Sequence, residues 1–533
     1  MTTTWTIAID WDRNGNYTDT YDDVTSRVIS ANWKLGMRLP YTDMADESTL
    51  DLVLDNTDKR YSSEHASSPL TGKVVPQRPV RIQSNDGTTT RTHWIGWIEA
   101  IQPAVNRYGK RTVQIVAVGA MQFLKAAETD LPTQKNKRTD EVIGELIKEV
   151  VLPPALNHAW VMSRPGSSEL SASTYLITPG AYSQLDTGTL TLGVAADNWT
   201  RQGGFADANQ NKFDVYRAIG DITAAEHGRF FFNREGKAVF WNRHKLLLGT
   251  AAVDETFNDS MTGLEYSYAG LDYLKNEVIV VSHPRSISAS TNDLLWSLDA
   301  GSVITVSQGI PRKITISYDE EDGKRVSAEE VSVANVTFQS GSATVTVKAL
   351  ANGVELTFTA IGNGPSDGDA VVSGVEVRGR KIVDGGEVEA KAIDSTSLID
   401  YGRRTMRLNL PSIDNVEQAQ SIADHERTKR SKPRGMVQAL TVTSHGKNGG
   451  GQHAQQLALT IGNLIQVIET QTAHDSKYHI IGEAHELTMG ATLWKTTWYL
   501  EPTPTVYNSP TKYPWLLGVS NRSNVNYSTT LVY

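Results

Sequence analysis

The sequence predicts a mainly β protein with a mixed α+β middle. Two observations support this: short runs of alternating apolar and polar residues fill both ends of the chain, and helical spacing is confined to a few segments between them. In STLDLVLDN, for example, Leu50, Leu52 and Leu54 recur at every second position, as in a half-buried strand. Because 533 residues exceed what one hydrophobic core supports, several domains are expected.

Residues 1–130 are predicted to form a first β-barrel domain. Six candidate strands at short spacing are typical of a barrel or a sandwich. They are WTIAID, SRVISANWKLG, STLDLVLDN, PVRIQ, RTHWIGWIEAI and RTVQIVAVG. Large aromatic side chains concentrate here and are expected in the core more often than at an interface. They are Trp5, Trp11, Trp33, Trp94 and Trp97.

Residues 131–300 are predicted to be mixed α+β. Apolar residues between Val142 and Val151 recur at helical spacing, and a second amphipathic helix is expected from Phe213 to His227. The runs RFFFN and KAVFWN flank the turn residues 234–236, so a β-hairpin should follow the second helix.

The rest of the chain returns to strand patterns. Residues 301–395 are predicted to form a small β-domain and residues 396–502 a second β-barrel domain of similar strand spacing. A helix from Asp414 to Lys429, with Asp414 as its N-cap, opens the latter, and its strands include QQLALTIGNLIQVIE. Residues 503–533 form a C-terminal tail whose aromatic side chains could dock on a partner.

Composition restricts the function. The net charge of −9 argues against wrapping of nucleic acid, and the absence of cysteine excludes disulfides and thiolate chemistry. The amino terminus lacks the pattern of a secretory signal, and no apolar run is long enough for a membrane helix, so synthesis in the cytoplasm and no membrane segment are expected.

One loop has the residue types of a calcium site. Asp10, Asp12 and Asn14 alternate before Gly15 in DWDRNG, as in the first half of a calcium-binding loop. A complete EF-hand is excluded because Tyr21 stands where a bidentate glutamate is needed. A strand-loop Ca²⁺ site that uses Asp10, Asp12, Asn14, the Asn16 carbonyl and Asp19 or Asp22 remains one interpretation. Turn-forming Asx residues are the other.

Other chemistry-bearing clusters favour structural interpretations. One cluster contains His474, His479 and His485, with Glu483 and Glu486. We interpret these residues as solvent-facing positions of a strand, and the alternative is a metal site. The basic stretch 427–434 would complement a helix C-terminus, the alternative being contact with DNA or an acidic neighbour. No catalytic residue can be named, which predicts that the chain is not an enzyme.

Four separated blocks resemble long-tailed bacteriophage hub and minor tail proteins. The first contains IDWDRNGNYTDTYDDVTSRVISANWKLGMR, LDLVLDNTDKRYSSE, SPLTGKVVPQRPVRI and HWIGWIEAI. The second is FDVYRAIGDITAAEHGRFFFNREGKAVFWNRH, the third DSTSLIDYGRRTMRLNLPSIDNVEQAQSIADHERTKRSKPRGMVQALTV, and the fourth contains IGNLIQVIE, KYHIIGEAHEL and TTWYLEP. The resemblance covers most of residues 1–502, and Ser63 replaces the proline of the family's RYSP motif.

The resemblance implies a structural tail hub at the virion's tail tip, with two tube-type β-barrel domains flanking smaller mixed domains. Three copies would form a homotrimer whose six barrels adapt the sixfold tail tube to a threefold tip and close the DNA channel until infection. The implied partners are the distal tail protein ring, the tape-measure protein and a tip or receptor-binding protein used in host attachment. DNA would pass through without specific binding.

Two alternatives belong to other classes of protein. A tail-associated hydrolase would release product from purified peptidoglycan, and a carbohydrate-binding tail protein would bind glycans through residues 302–380. A virion protein and a related prophage-encoded injection device are not distinguished by sequence.

Overall fold

The computed structural model is mainly β, as predicted, with a few short helices between the sheets. It describes residues 2–105, 111–129, 131–148, 150, 183–195, 214–248, 252–268, 272–319, 321, 326–362, 368–488, 490–503, 513–515 and 529–531. Among the described residues, no helix is long and apolar enough to span a membrane.

Six antiparallel strands and one helix form the N-terminal region. They are β1 (Thr4–Ile9), β2 (Val28–Gly36), β3 (Thr49–Asp55), β4 (Pro79–Asn85), β5 (Thr90–Pro103), β6 (Thr112–Val118) and α1 (Met121–Ala126). The strands are ordered β1-β4-β5-β6-β3-β2 and are called the N-terminal set. All five tryptophans of this region are buried, which places them in the core.

The middle region packs helices against short strands. Its elements are β7 (Gln134–Arg138), α2 (Thr139–Lys148), β8 (Ser183–Leu185), β9 (Thr191–Ala195), α3 (Val215–Glu226), β10 (Arg229–Phe232), β11 (Ala238–Trp241) and α4 (Lys245–Leu248). The predicted hairpin is present, with Arg229 opposite Trp241 and Phe232 opposite Ala238. The end of the first predicted helix, at 149 and 151, lies outside the described residues.

Twelve described strands lie between the middle region and the C-terminal region, and most of them form the small β-region. The strands are β12 (Glu255–Asn258), β13 (Gly263–Tyr268), β14 (Glu277–Ser282), β15 (Arg285–Ile287), β16 (Asp293–Ser297), β17 (Ile304–Val306), β18 (Arg312–Ser317), β19 (Val326–Ser340), β20 (Ala343–Ala349), β21 (Gly353–Ala360), β22 (Ala370–Asp384) and β23 (Val388–Ile393). The long strands β19 and β22 pair along the small region, while β14 pairs with β23.

The C-terminal region adds helices and the remaining long strands. Its elements are α5 (Ser395–Tyr401), β24 (Thr405–Leu410), α6 (Val416–Arg430), β25 (Gly435–Ser444), α7 (His453–Ala458), β26 (Leu464–Glu469), β27 (His474–Thr488), β28 (Leu493–Pro502), β29 (Tyr513–Trp515) and β30 (Thr529–Leu531). Strands β25 to β28 join β12 and β13 in a second group of six, the C-terminal set. The sequence pattern groups β12 and β13 with the middle region, yet they pair with β26 and β25.

Two local predictions in the C-terminal region are wrong. Asn415, and not Asp414, caps α6, because its side-chain oxygen accepts the backbone N–H groups of Glu417 and Gln418. The run QQLALTIGNLIQVIE begins within helix α7 instead of a strand. The Gln456 side chain, buried in this helix, donates to the Trp494 carbonyl, which fixes the helical turn against β28.

Candidate functional site

The two sets of strands are joined through β2 and β27. These strands pair antiparallel over seven positions, from Ser30 opposite Thr488 to Gly36 opposite Gly482. The N-terminal and C-terminal sets therefore form one 12-stranded sheet. We call the β2–β27 contact the joint.

The joint requires glycine where the two strands approach most closely. A Cβ atom on Gly482 would lie 2.0 Å from the Met37 carbonyl oxygen, and one on Gly36 would lie 2.6 Å from the Ile481 carbonyl oxygen. Gly36 also has a φ of 81°, in the left-handed region that favours glycine. Backbone atoms cannot move aside as a side chain can, so larger residues at both positions should separate the strands.

A buried cluster of aromatic rings covers the joint. Trp33 of β2 stacks on His485 of β27 with ring centroids 4.9 Å apart, and Trp5 of β1 lies 4.9 Å from Trp494 of β28 in an edge-to-face contact. His93 of β5 lies 4.9 Å from Trp5. Because its members come from both sets, the cluster gives the two sets a shared core.

An ion pair ties the middle region to the joint. Arg234, in the β10–β11 turn, donates to both carboxylate oxygens of Glu483 at 2.5 Å and to the Leu459 carbonyl at 2.8 Å. Glu483 has no exposed surface. Although burial opposes ionisation, Arg234 holds the pKa of Glu483 at about 2, below its ordinary value. The hairpin is thus anchored by a buried charge pair.

A second ion-pair network, in which Arg229 and Glu501 are buried and Asp43 is partly exposed, lies at the end of β28. Arg229 of β10 binds Glu501 at 3.2 Å and Asp43, in the loop after β2, at 3.0 Å. Burial raises the pKa of Asp43 to about 6, and Arg229 opposes this effect. The same residue therefore connects the middle region with both sets of strands.

Sequence reasoning missed these long-range contacts. Arg234 lies in a predicted turn, where an exposed cation is the normal expectation, and its partner is 249 residues away. A single sequence contains no signal that pairs two such distant residues. An alignment in which both positions vary together would contain one.

The residues of the predicted calcium loop are held in a network of turns. The Asp10 carboxylate accepts the backbone N–H groups of Asn14 at 3.2 Å and Gly15 at 2.9 Å, and the Asn14 side-chain oxygen accepts the N–H of Asn16 at 2.8 Å. Gly15 has a φ of 82°, which permits the sharp turn that the motif needs. The loop offers oxygen donors, the type that calcium prefers.

Calcium binding by Asp10, Asp12, Asn14 and Asn16 stays a prediction. Asp12 pairs with Lys73 at 2.6 Å, so calcium would have to displace this lysine. If the loop binds calcium, the melting temperature should rise at millimolar CaCl₂ relative to EGTA, because a ligand that binds only the folded state stabilises it. The rise should disappear in Asp12→Ala, which removes the side-chain oxygen ligand at this position. Equal melting temperatures of the wild type in the two buffers would contradict the prediction.

The histidines of β27 are buried, so their predicted solvent-facing placement is wrong. His474, His479 and His485 are each less than 9% exposed, because β27 lies between β2 or β26 and β28 and is covered on both faces. Within the described part of the chain, no group of three carboxylate or imidazole side chains is arranged to hold a metal ion.

The basic stretch 427–434 ends α6 and continues into the loop before β25. Arg430 and Lys429 bind Glu426 at 2.6 and 3.4 Å, and Arg427 binds Asp424 at 3.3 Å. These cations complement the helix C-terminus as predicted. The loop that follows contributes further cations to a pocket.

Comparison with protein-family models and with curated proteins gives no match. Among solved structures, the chain is similar to a tail protein from Neisseria meningitidis MC58, with 10% identity, a TM-score of 0.45 and coverage of 94% of this chain and 96% of that one. It is also similar to the 43 kDa tail protein of prophage MuSo2 from Shewanella oneidensis, with 9% identity, a TM-score of 0.42 and coverage of 93% and 97%.

A prophage tail protein from Listeria monocytogenes EGD-e shows 7% identity, a TM-score of 0.38 and coverage of 94% of this chain and 96% of its own.

Proposed function

We propose that the chain is a structural subunit of the tail tip of a long-tailed bacteriophage, where three copies form a ring that closes the tail tube. The observation that supports this most directly is the joint. It gives one chain two sets of six strands in a single sheet, and the sequence motifs of the tail hub family fall in both sets.

The strand count explains how a threefold ring could meet a sixfold tube. Three chains would supply six sets of strands, so that each set takes the place of one subunit of the tube. The 12-stranded sheet has β1 at one end of its strand order and β13 at the other. The outer edge of β1 is already bonded within the chain, because Ile9 donates to the Asp22 carbonyl and Val24 donates to the Ile7 carbonyl. In the proposed ring β13 therefore lies next to a neighbouring copy, which covers one exposed edge of the sheet.

The proposed ring has one face toward the distal tail protein ring and the other toward a tip or receptor-binding protein. The end of the tape-measure protein would lie inside it. A protein of net charge −9 suits a channel through which DNA slides without adhering. Binding energy would come from assembly contacts, and no step of the proposal requires a catalytic group.

Negative-stain images of the full-length protein test the proposal. The wild type should form threefold rings with a central opening. Tyr268, at the end of β13, is 69% exposed, and a charge on an end strand opposes edge pairing. Tyr268→Glu should therefore reduce the fraction of rings without lowering the melting temperature.

The matched control is Ile399→Glu on α5, where the side chain is 81% exposed and lies outside the 12-stranded sheet. It should form rings as the wild type does. Wild-type images that contain only compact single particles, or rings unaffected by Tyr268→Glu, would count against pairing through β13.

A further inference from the structure

A basic pocket lies where β2 and β13 end and β25 begins. Its walls include Tyr41 from the loop after β2, Tyr273 from the segment after β13, and four cationic side chains. The cations are Lys429, Arg430, Lys432 and Arg434. Such a concentration of positive charge is unexpected in a chain of net charge −9.

The Tyr41 ring organises the pocket. Lys429, Arg430 and Arg434 lie 4.1, 4.5 and 5.8 Å from the centroid of the ring, distances at which its negative face attracts cations. The backbone N–H of Tyr41 donates to Glu501 at 2.6 Å, which holds the residue in place. The ring thus gathers three like charges that would otherwise repel one another.

The carboxylates near the pocket are too few to pair with all of its cations. Glu426 binds Lys429 and Arg430, and Glu501 binds Arg229. No carboxylate of the described residues lies within 4 Å of the charged nitrogens of Lys432 or Arg434.

Two further features are typical of an anion-binding site. Burial lowers the pKa of Arg434 from its ordinary value, which marks a charge that is partly removed from water without a close ionic partner. The Tyr41 hydroxyl oxygen is buried and has no hydrogen-bond partner among the described residues. A buried polar group of this kind carries a free-energy cost unless a ligand satisfies it.

We propose that this pocket binds a carboxylate side chain from an acidic segment of another protein subunit. The guanidinium of Arg434 can donate two hydrogen bonds to a carboxylate, and the ammonium of Lys432 adds charge. DNA fits the site less well. DNA affinity depends on many phosphate contacts along a track of cations, whereas this pocket groups its four cations in one place, three of them around the Tyr41 ring.

Fluorescence anisotropy with the full-length protein tests the proposal. The probe is a labelled peptide of four Glu–Ala pairs, and its Gln–Ala counterpart is the neutral control. The Glu peptide should bind at low salt and the Gln peptide should not. Arg434→Gln should weaken binding by more than about tenfold, because one charge-assisted hydrogen bond alone accounts for a loss of that size and Arg434 can donate two.

Two more variants separate a loss of binding from a loss of fold. Because Lys432 is exposed, Lys432→Gln should weaken binding of the Glu peptide without changing the melting temperature of the protein. Lys495→Gln removes an exposed lysine of β28 that lines no part of the pocket, and it should bind the Glu peptide like the wild type. None of these results depends on ring formation.

Several outcomes would overturn the proposal. One is equal binding of the Glu and Gln peptides, and another is no binding of either peptide. A third is that Lys495→Gln weakens binding of the Glu peptide as much as Arg434→Gln does. Displacement of the peptide by equimolar inorganic phosphate would assign the pocket to free phosphate. Tighter binding of a twelve-base-pair DNA duplex that Arg434→Gln and Lys432→Gln also weaken would assign it to DNA.

Discussion

Arg234→Ala is expected to lower the free energy of unfolding by about 3–5 kcal/mol, because it leaves the Glu483 carboxylate buried without a partner. Both oxygens of Glu483 are bound by Arg234, and the carboxylate lies in the strand that forms the joint. The loss should appear in the first cooperative transition of a urea titration monitored by tryptophan fluorescence, since the joint is covered by Trp33 and Trp494.

Two variants serve as controls for this result. Arg407→Ala removes an ion pair of similar length, 2.6 Å to Glu389, in which both side chains are about half exposed, so it should cost less than about 1 kcal/mol. The double variant Arg234→Met with Glu483→Leu removes both charges and should be more stable than Arg234→Ala alone. Equal losses from Arg234→Ala and Arg407→Ala would contradict the assigned role of the buried pair.

Acidification below about pH 6.5 is the second change expected to have a large effect. Burial lowers the pKa values of His93, His479 and His485 below 6.5. The positive charge of Arg234 lowers the pKa of His93 further, whereas Glu483 opposes part of the shift of His485. Between the folded and unfolded pKa values, the unfolded chain binds the extra proton. Stability is therefore complete above pH 6.5 and decreases below it, by up to about 1.4 kcal/mol per pH unit for each histidine.

Carboxylates modify this profile in both directions. The pKa values of Asp22 and Asp43 are raised to about 6 by burial, so the folded state takes up these protons first and gains stability between pH 6 and 4. Glu483 acts in the opposite sense: the stability that it contributes is present above its unfolded pKa and is lost as the pH falls toward 2. Between pH 6.5 and 6 only the histidine effect operates among these groups.

Urea midpoints at pH 7.5, 6.5, 6.0 and 5.0 measure the profile. His93→Gln should make the decrease less steep, because Gln can still bond the Ser84 hydroxyl, which lies 2.7 Å from the His93 ring, but does not titrate. His65→Gln, in the loop between β3 and β4, should leave the slope unchanged. A constant midpoint from pH 7.5 to 6.0, where Asp22 and Asp43 do not yet compensate, would show that burial does not hold these imidazoles neutral.

Local patterns predicted much of the secondary structure. The alternation of Leu50, Leu52 and Leu54 predicts β3, in which all three are fully buried, and turn residues predict the β10–β11 hairpin. Such patterns depend on neighbours along the chain, and these are visible in one sequence. Where two polar residues compete for one cap, as Asp414 and Asn415 do, the pattern leaves the choice open.

Contacts between distant residues could not be predicted in this way. The joint aligns Gly36 with Gly482, although neither glycine differs in local sequence from a turn glycine. The basic stretch 427–434 is visible in the sequence, but the pocket also needs Tyr41, nearly 400 residues earlier. Only folding brings these groups together, which is why the sequence predicted the β-rich ends of the chain better than its candidate sites.

The mass of the full-length protein in solution, measured by light scattering, tests the central claim most directly. The proposed ring predicts a particle with three times the 58.5 kDa mass of one chain, and it predicts a smaller mass for Tyr268→Glu but not for Ile399→Glu. A single-chain mass for the wild type at every concentration tested would contradict a ring that assembles from this chain alone.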